Sequence, residues 1–186
     1  MLRFKKGDQY AFRMLYTSYK LKIINYCYRY CADREVAEEL AQEVFLRVYN
    51  AAPKYKPQAK FSTWIFRIAT NICLNERRSQ KYSKKTESLD RPVNTPAEGR
   101  PRELKAPMPL DSAERIEFKE KEDLIRQSIL TLPKKQRAAV LLRVYYDFSY
   151  REISRQLNTS EGDVKVLIHR GRRHLKKALQ AYMQDD

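Results

Sequence analysis

The sequence predicts an all-α protein folded as two small helical lobes, and three observations carry that expectation. Apolar residues recur at i, i+3, i+4 and i+7 through most of the 186 residues. A proline-rich stretch without that period divides the chain into residues 1–80 and 113–186. No alternation of apolar and polar residues runs long enough to argue for a sheet.

The elements follow in order. Phe12, Leu15, Tyr16, Tyr19, Ile23, Tyr26, Cys27 and Tyr30 make a first apolar stripe, and Val36, Ala37, Leu40, Ala41, Val44, Phe45 and Val48 a second. Pro53 and Pro57 interrupt PKYKPQAK. FSTWIFRIATNICLNERR then reads as a third helix, with Ser62 or Thr63 placed to cap it. Over residues 81–112 the period is lost. Pro92, Pro96, Pro101, Pro107 and Pro109 are five of the chain's eight prolines, and the stretch reads as a flexible linker with too little apolar surface to fold alone.

Periodicity returns at Ile116, Phe118, Leu124, Ile125 and Ile129. Pro133 stands at a helix start, where its missing N–H is not needed, ahead of Ala138, Leu141, Leu142 and Tyr145. Two short helices close the chain. Ser149 and Glu152 in SYRE fit a capping box, and Ser160 and Asp163 in SEGD repeat the arrangement. Asn158 marks the turn between them. Helix, tight turn, helix is the pattern of a helix-turn-helix unit.

Composition bounds the partners. Lys plus Arg number 38 against 23 Asp plus Glu, a net charge of +15, which suits a polyanionic partner, either nucleic acid or an anionic membrane face. No apolar run approaches the roughly 20 residues that span a bilayer, and MLRFKKGDQY lacks the apolar core of a secretion signal. The expectation is a soluble, cytoplasmic protein without membrane insertion. Cys27, Cys31 and Cys73 include no CxxC pair and lie far in sequence from His169 and His174, so they read as buried reduced thiols, with no metal and no cofactor. A Gly-rich phosphate loop and a nucleophile–base pair are both missing from the sequence, so no catalytic activity is expected.

The last helix carries the strongest signal. Between Val164 and Met183 there is no acidic residue, yet Lys165, Arg170, Arg172, Arg173, Lys176 and Lys177 are all present. Val164, Leu167, Ile168, Leu175 and Leu179 take the inward stripe. Gly171 falls in that stripe too, where it costs about 1 kcal/mol against alanine but lets another helix approach. Such a face is either a solvated basic surface or, on the second helix of a helix-turn-helix, one that can enter the major groove with its first residues at base edges. Ser160, Glu161, Asp163, Lys165, Val166 and His169 hold those positions, and Arg170, Arg172, Arg173 and Lys176 are placed for phosphates.

The N-terminal lobe has a chemistry of its own. Its acids concentrate in ADREVAEELAQEVF, where Glu35, Glu39 and Glu43 share a helical face, either a solubilising surface or a docking surface for a basic partner. The third helix sets Phe61, Trp64 and Phe66 beside Lys60, Arg67, Arg77 and Arg78. Burial of these rings as core is one reading. The other is stacking of unpaired bases, worth about 1–3 kcal/mol per base, with Asn71 and Asn75 reading an extruded base edge.

These motifs together resemble bacterial RNA polymerase sigma factors of the extracytoplasmic-function (ECF) group, over nearly the whole chain. AEELAQEVFLRVY is similar to the family's core-polymerase-binding helix, with Glu35, Glu39, Gln42 and Phe45 in that role. FSTWIFRIATNICLNERR resembles the segment that melts and reads the −10 element, which implies Lys56, Lys60, Phe61, Ser62, Thr63, Trp64, Arg67, Asn71, Asn75, Arg77 and Arg78 as contacts. The stretch from LPKKQR to LKKAL resembles the domain that binds the −35 element. Asp163, Val166, Leu167 and Gly171 depart from the family's usual GTVKSRLHRAR.

The resemblance implies a region 2-like domain over 1–80 and a region 4-like domain over 113–186. Its implied partners are the clamp and flap of core RNA polymerase, promoter DNA (duplex at −35, single-stranded at −10) and an anti-sigma factor. The alternative reading is an autonomous helix-turn-helix regulator that binds duplex DNA as a dimer.

Overall fold

The computed structural model describes residues 1–76 and 112–184, with side chains described over 1–76 and 119–180. The expected linker lies outside these residues except for Ser112, and so do the side chains of Ile116 and Phe118.

A one-turn helix α1 (Leu2–Lys5) leads into the long α2 (Gln9–Cys31). Asp8 caps α2 by accepting a hydrogen bond from the Ala11 N–H at 3.0 Å, and Ala32 ends it in the left-handed conformation at φ 55°. Asp33 then caps α3 (Arg34–Asn50) through the Val36 N–H. A 3-10 turn at Ala52–Lys54 and an irregular loop lead to α4 (Phe61–Asn75).

Here the expected cap is corrected. Lys60 occupies the capping position and no side chain caps α4, because Ser62 and Thr63 already lie within its first turn. The Thr63 hydroxyl donates instead to Glu152 Oε1, 3.1 Å away in the other lobe.

The second lobe comprises α5 (Ser112–Thr131), α6 (Lys134–Tyr145), α7 (Tyr150–Leu157) and α8 (Glu161–Gln184). Pro133 precedes the first residue of α6 rather than occupying it. Ser149 and Glu152 form the expected reciprocal box at α7, and Ser160 and Asp163 make the same two bonds at α8. Asn158 turns the chain at φ 50°. The last helix is long rather than short, since no breaker follows Gly171 and LKKALQAYMQ favours helix.

Buried side chains explain the packing. Ile23, Tyr26, Cys27 and Tyr30 of α2 meet Ala37, Val44 and Val48 of α3 and Ile65, Ala69 and Cys73 of α4. In the second lobe Ala138, Leu141 and Leu142 meet Ile153, Val164 and Ile168. The lobes do not stand apart: the two groups join into one continuous core. Phe66 of α4 lies 4.6 Å from the Tyr146 ring and 5.4 Å from Phe148, centroid to centroid, and Tyr26 lies 5.6 Å from Tyr146. Offset and edge-on aromatic contacts of this kind add about 0.5–1.5 kcal/mol each beyond their buried area.

Gly171 does what its place in the apolar stripe predicts. A Cβ there would stand 2.6 Å from Val140 Cγ2, so α8 crosses α6 at a distance only glycine permits. Gly171→Ala gains about 1 kcal/mol of helix propensity but incurs an overpacking cost of about 1–3 kcal/mol. A net loss of about 1 kcal/mol in denaturant unfolding is expected, with part of it recovered in Gly171→Ala/Val140→Ala. A stability unchanged by Gly171→Ala would mean that the crossing is not close.

Candidate nucleic-acid interface

Three surfaces bring the predicted residues together. On α8 the burial of Val164 and Ile168, with Gly171 against α6, fixes which side faces out. Ser160, Glu161, Asp163, Lys165, Val166, His169, Arg170, Arg172, Arg173 and Lys176 are all exposed. The first turn is rigid. Asp163 Oδ2 accepts from the Ser160 and Thr159 hydroxyls at 2.7 and 2.8 Å and from the Ser160 N–H at 3.2 Å. Its carboxyl is held below the usual aspartate range, first by the Ser160 hydroxyl, so at neutral pH it is an anion locked into the turn. Asp163 is therefore committed to holding the helix start. Thr131 and His174 are joined at 2.8 Å, tying α5 to the far half of α8.

The second surface is α4 with the loop before it. Lys56, Thr63, Trp64 and Arg67 line one cleft, together with Lys54, Tyr55 and Gln58, which the sequence reasoning missed. Tyr55 is buried with its ring 4.8 Å from Trp64, edge to face, and so fixes the indole from behind. The alternating aromatic and lysine pattern of KYK was the available signal. Trp64 is half-buried, Asn71 and Asn75 are exposed further along the helix, and Arg77 and Arg78 lie outside the described residues.

Phe61 sits on the other side of Trp64. Its ring packs 5.1 Å from Tyr19 and 5.7 Å from Trp64 and lines a separate groove with Tyr10 and Met14. Phe66 is buried. Lys60 and Ser62 stand at the start of the helix, exposed and half-buried respectively.

The third surface is the outer face of α3, where Glu35, Glu39 and Gln42 are exposed one turn apart. Glu43 pairs with Arg47 at 2.6 Å. Phe45, expected on this surface, is only 6% exposed and packs edge-on to Tyr16 at 4.7 Å. Its ring supports the face from inside.

Sequence reasoning missed one more feature: α7 lies across α4. Arg155 and Gln156 of α7 complete the lining of the Trp64 cleft.

Family comparison covers both lobes. Residues 15–82 match the Sigma-70 region 2 model and residues 122–175 the Sigma-70 region 4 model. The chain is 37% identical over 183 residues to the ECF RNA polymerase sigma factor SigW of Bacillus subtilis (strain 168), covering 95% of this chain and 92% of that protein. The chain belongs to the ECF RNA polymerase sigma factors.

Among solved structures, the sigma factor has the fold of CnrH in complex with the cytosolic domain of CnrY, with a TM-score of 0.66, 19% identity, and 95% of this chain and 92% of that one covered. It has equally the fold of RpoE in complex with the anti-sigma factor NepR from Bartonella quintana, with a TM-score of 0.62, 18% identity, and 91% and 97% covered. Among its described residues no helix is long and apolar enough to cross a membrane.

Glu152 links the helix-turn-helix to the α4 surface. Its carboxylate accepts from the Ser149 N–H and hydroxyl, at 3.0 and 2.8 Å, and from Thr63. These bonds, the Ser149 backbone first, hold its carboxyl below the ordinary 4.5. A carboxyl depressed in the folded state contributes stability above its ordinary range and loses it as pH falls through the folded value. Below pH 4.5 the wild-type stability is expected to fall more steeply than that of Glu152→Gln, which has no proton to gain at this position. Parallel acid limbs in pH-dependent denaturation would remove this role.

Proposed function

We propose that this sigma factor binds core RNA polymerase and gives it two DNA contacts of different kinds, duplex at −35 and unpaired bases at −10. It is a specificity subunit with no catalytic step of its own. The single observation that carries the reading is the placement of ten predicted contact residues on the open side of α8 while Val164, Ile168 and Gly171 seat its other side.

In this reading the exposed residues Ser160, Glu161, Lys165, Val166 and His169 meet base edges in the major groove, with Asp163 holding the helix start that presents them. The cations from Arg170 to Lys176 meet phosphates, which set position and supply the salt-sensitive part of affinity. On the other surface, bases leaving the stack at −10 are captured near Trp64 and Phe61, with Asn71 and Asn75 at their edges and Lys56, Lys60 and Arg67 at the backbone. Stacking offsets the few kcal/mol that unstacking costs.

Glu35, Glu39 and Gln42 dock on the clamp of the largest polymerase subunit, and the C-terminal lobe rests on the flap of the second-largest. The linker of residues 81–112 runs toward the RNA exit path and ties both readings to one promoter spacing. An anti-sigma protein is a further proposed partner, supported by the fold shared with the RpoE that NepR binds.

Run-off transcription on a genomic promoter library tests the reading. Core polymerase with the sigma factor should give promoter-specific transcripts that core polymerase alone does not. Identical transcript sets would end the proposal. Trp64→Ala should slow open-complex formation on duplex promoters about tenfold or more, from a loss of ~1–3 kcal/mol of stacking. On a pre-melted template the loss should be much smaller; equal losses would deny the ring a part in base capture. Lys176→Ala should reduce the slope of log affinity against log salt by about 0.9, with sequence preference unchanged. A preserved slope would mean that this lysine touches no phosphate.

A further inference from the structure

Helix α8 carries one apolar side chain that the core does not use. Val166 is 46% exposed, and among the described residues of α7 and α8 no other large apolar side chain stands so far open. Val164 and Ile168, two residues to either side, are buried. At 3.6 residues per turn each lies about 200° around the helix from Val166, which therefore points straight away from the buried stripe. A lone apolar side chain is ordinary on a protein surface. This one stands at the centre of the face assigned above to base edges, between Lys165 and His169.

Stability of the fold does not call for valine there. A β-branched residue has a lower helix propensity than the lysines and arginines around it, and an exposed position gives no burial to offset that. Gly162, one turn earlier on the same line, has the same character. It is not among the residues at positive φ, and the one neighbouring atom a Cβ would meet is Ser160 Oγ, at an ordinary 3.6 Å. Glycine is less favourable in a helix than valine. What it provides is a bare surface that another molecule can approach closely. Gly162 and Val166 thus form a strip with no hydrogen-bonding side chain, bordered by the exposed Lys165, His169 and Arg170.

The strip is also held still. Ser160 Oγ accepts from the Asp163 N–H at 3.0 Å while the Asp163 carboxylate accepts from the Ser160 N–H, which fixes the helix start. Valine in a helix keeps one strongly preferred χ1 rotamer, so its two methyl groups are presented in one place.

A valine side chain neither donates nor accepts a hydrogen bond. A cytosine amino group or a guanine oxygen set against it would lose water and gain no partner. The major groove displays one apolar group, the 5-methyl of thymine. The family's usual run has serine at this position, and a hydroxyl can bond to donor and acceptor edges alike. We infer that Val166 is a specificity-determining residue that packs on a thymine 5-methyl in the −35 element and restricts one base pair there to A·T. This rests on the assignment of α8 to duplex DNA at −35.

The test uses core polymerase with the full chain on a duplex promoter taken from the run-off library. Each thymine of the −35 element, on either strand, is replaced in turn by deoxyuridine, which lacks only the 5-methyl group. At one position the wild-type holoenzyme should bind about fourfold more weakly, the factor that one buried methyl group is worth. In Val166→Ala the same replacement should have little effect. Val166→Ser should also accept a G·C pair at that position. Val166 is exposed, so neither substitution disturbs the core.

Two results would overturn the role of Val166 while leaving the −35 assignment intact. In one, scrambling the element weakens binding but no single deoxyuridine does. In the other, the deoxyuridine effect persists undiminished in Val166→Ala. An element built only of G·C pairs would overturn it as well. If scrambling the whole element leaves binding unchanged, the role falls with the assignment of α8 to duplex DNA.

Discussion

Helices α2 and α4 end at the same edge of the N-terminal lobe, and the cations that receive their last carbonyls belong to the other lobe. Arg137 Nη1 donates to the Tyr30 carbonyl at 2.7 Å, and Lys134 reaches the Leu74 and Glu76 carbonyls. A helix leaves its final carbonyls without intrahelical partners, so a buried helix end needs a donor from elsewhere. Because α6 supplies both donors, its position is set by two helix ends at once. From there the remainder follows: α7 falls on α4, and α8, held to α6 at Gly171, turns its cations outward.

Arg137 binds this edge without a carboxylate. Its Nη2 donates to the Leu130 and Leu132 carbonyls of its own lobe while Nη1 crosses the seam between the lobes, and burial lowers its pKa. One guanidinium therefore completes the local turn and the joint between lobes. Beneath it lie the three cysteines. Cys27 and Cys73 Sγ are 3.9 Å apart, and burial pushes the Cys31 thiol up to about 12. A thiol so shielded stays protonated, and all three cysteines serve as small core side chains.

The helices were legible from their apolar stripes, as at α3, and their starts wherever a reciprocal box stood there, as at α7 and α8. The start of α4 was not, because Ser and Thr near a helix start resemble caps whether or not their hydroxyls have a distant partner. The basic face of α8 was legible from the period of its apolar residues. Tyr55 and Gln58 were not, since a loop residue's part in a cleft depends on where the chain returns. Phe45 illustrates the same limit: period alone does not separate a ring that forms a surface from one that supports it. The seam was invisible in the sequence, because Gln156, Lys134 and Thr70 look like ordinary surface polar residues until two helices far apart in the chain are placed side by side.

In the proposed function one helical protein addresses DNA in two states, with a firmly seated basic helix for the paired form and an aromatic cleft for the unpaired form. Permanganate reactivity of promoter thymines tests this most directly. With core polymerase and the sigma factor together, thymines in the −10 region should become reactive, and with either alone they should not. Thymines that remain protected in the presence of both would contradict the account.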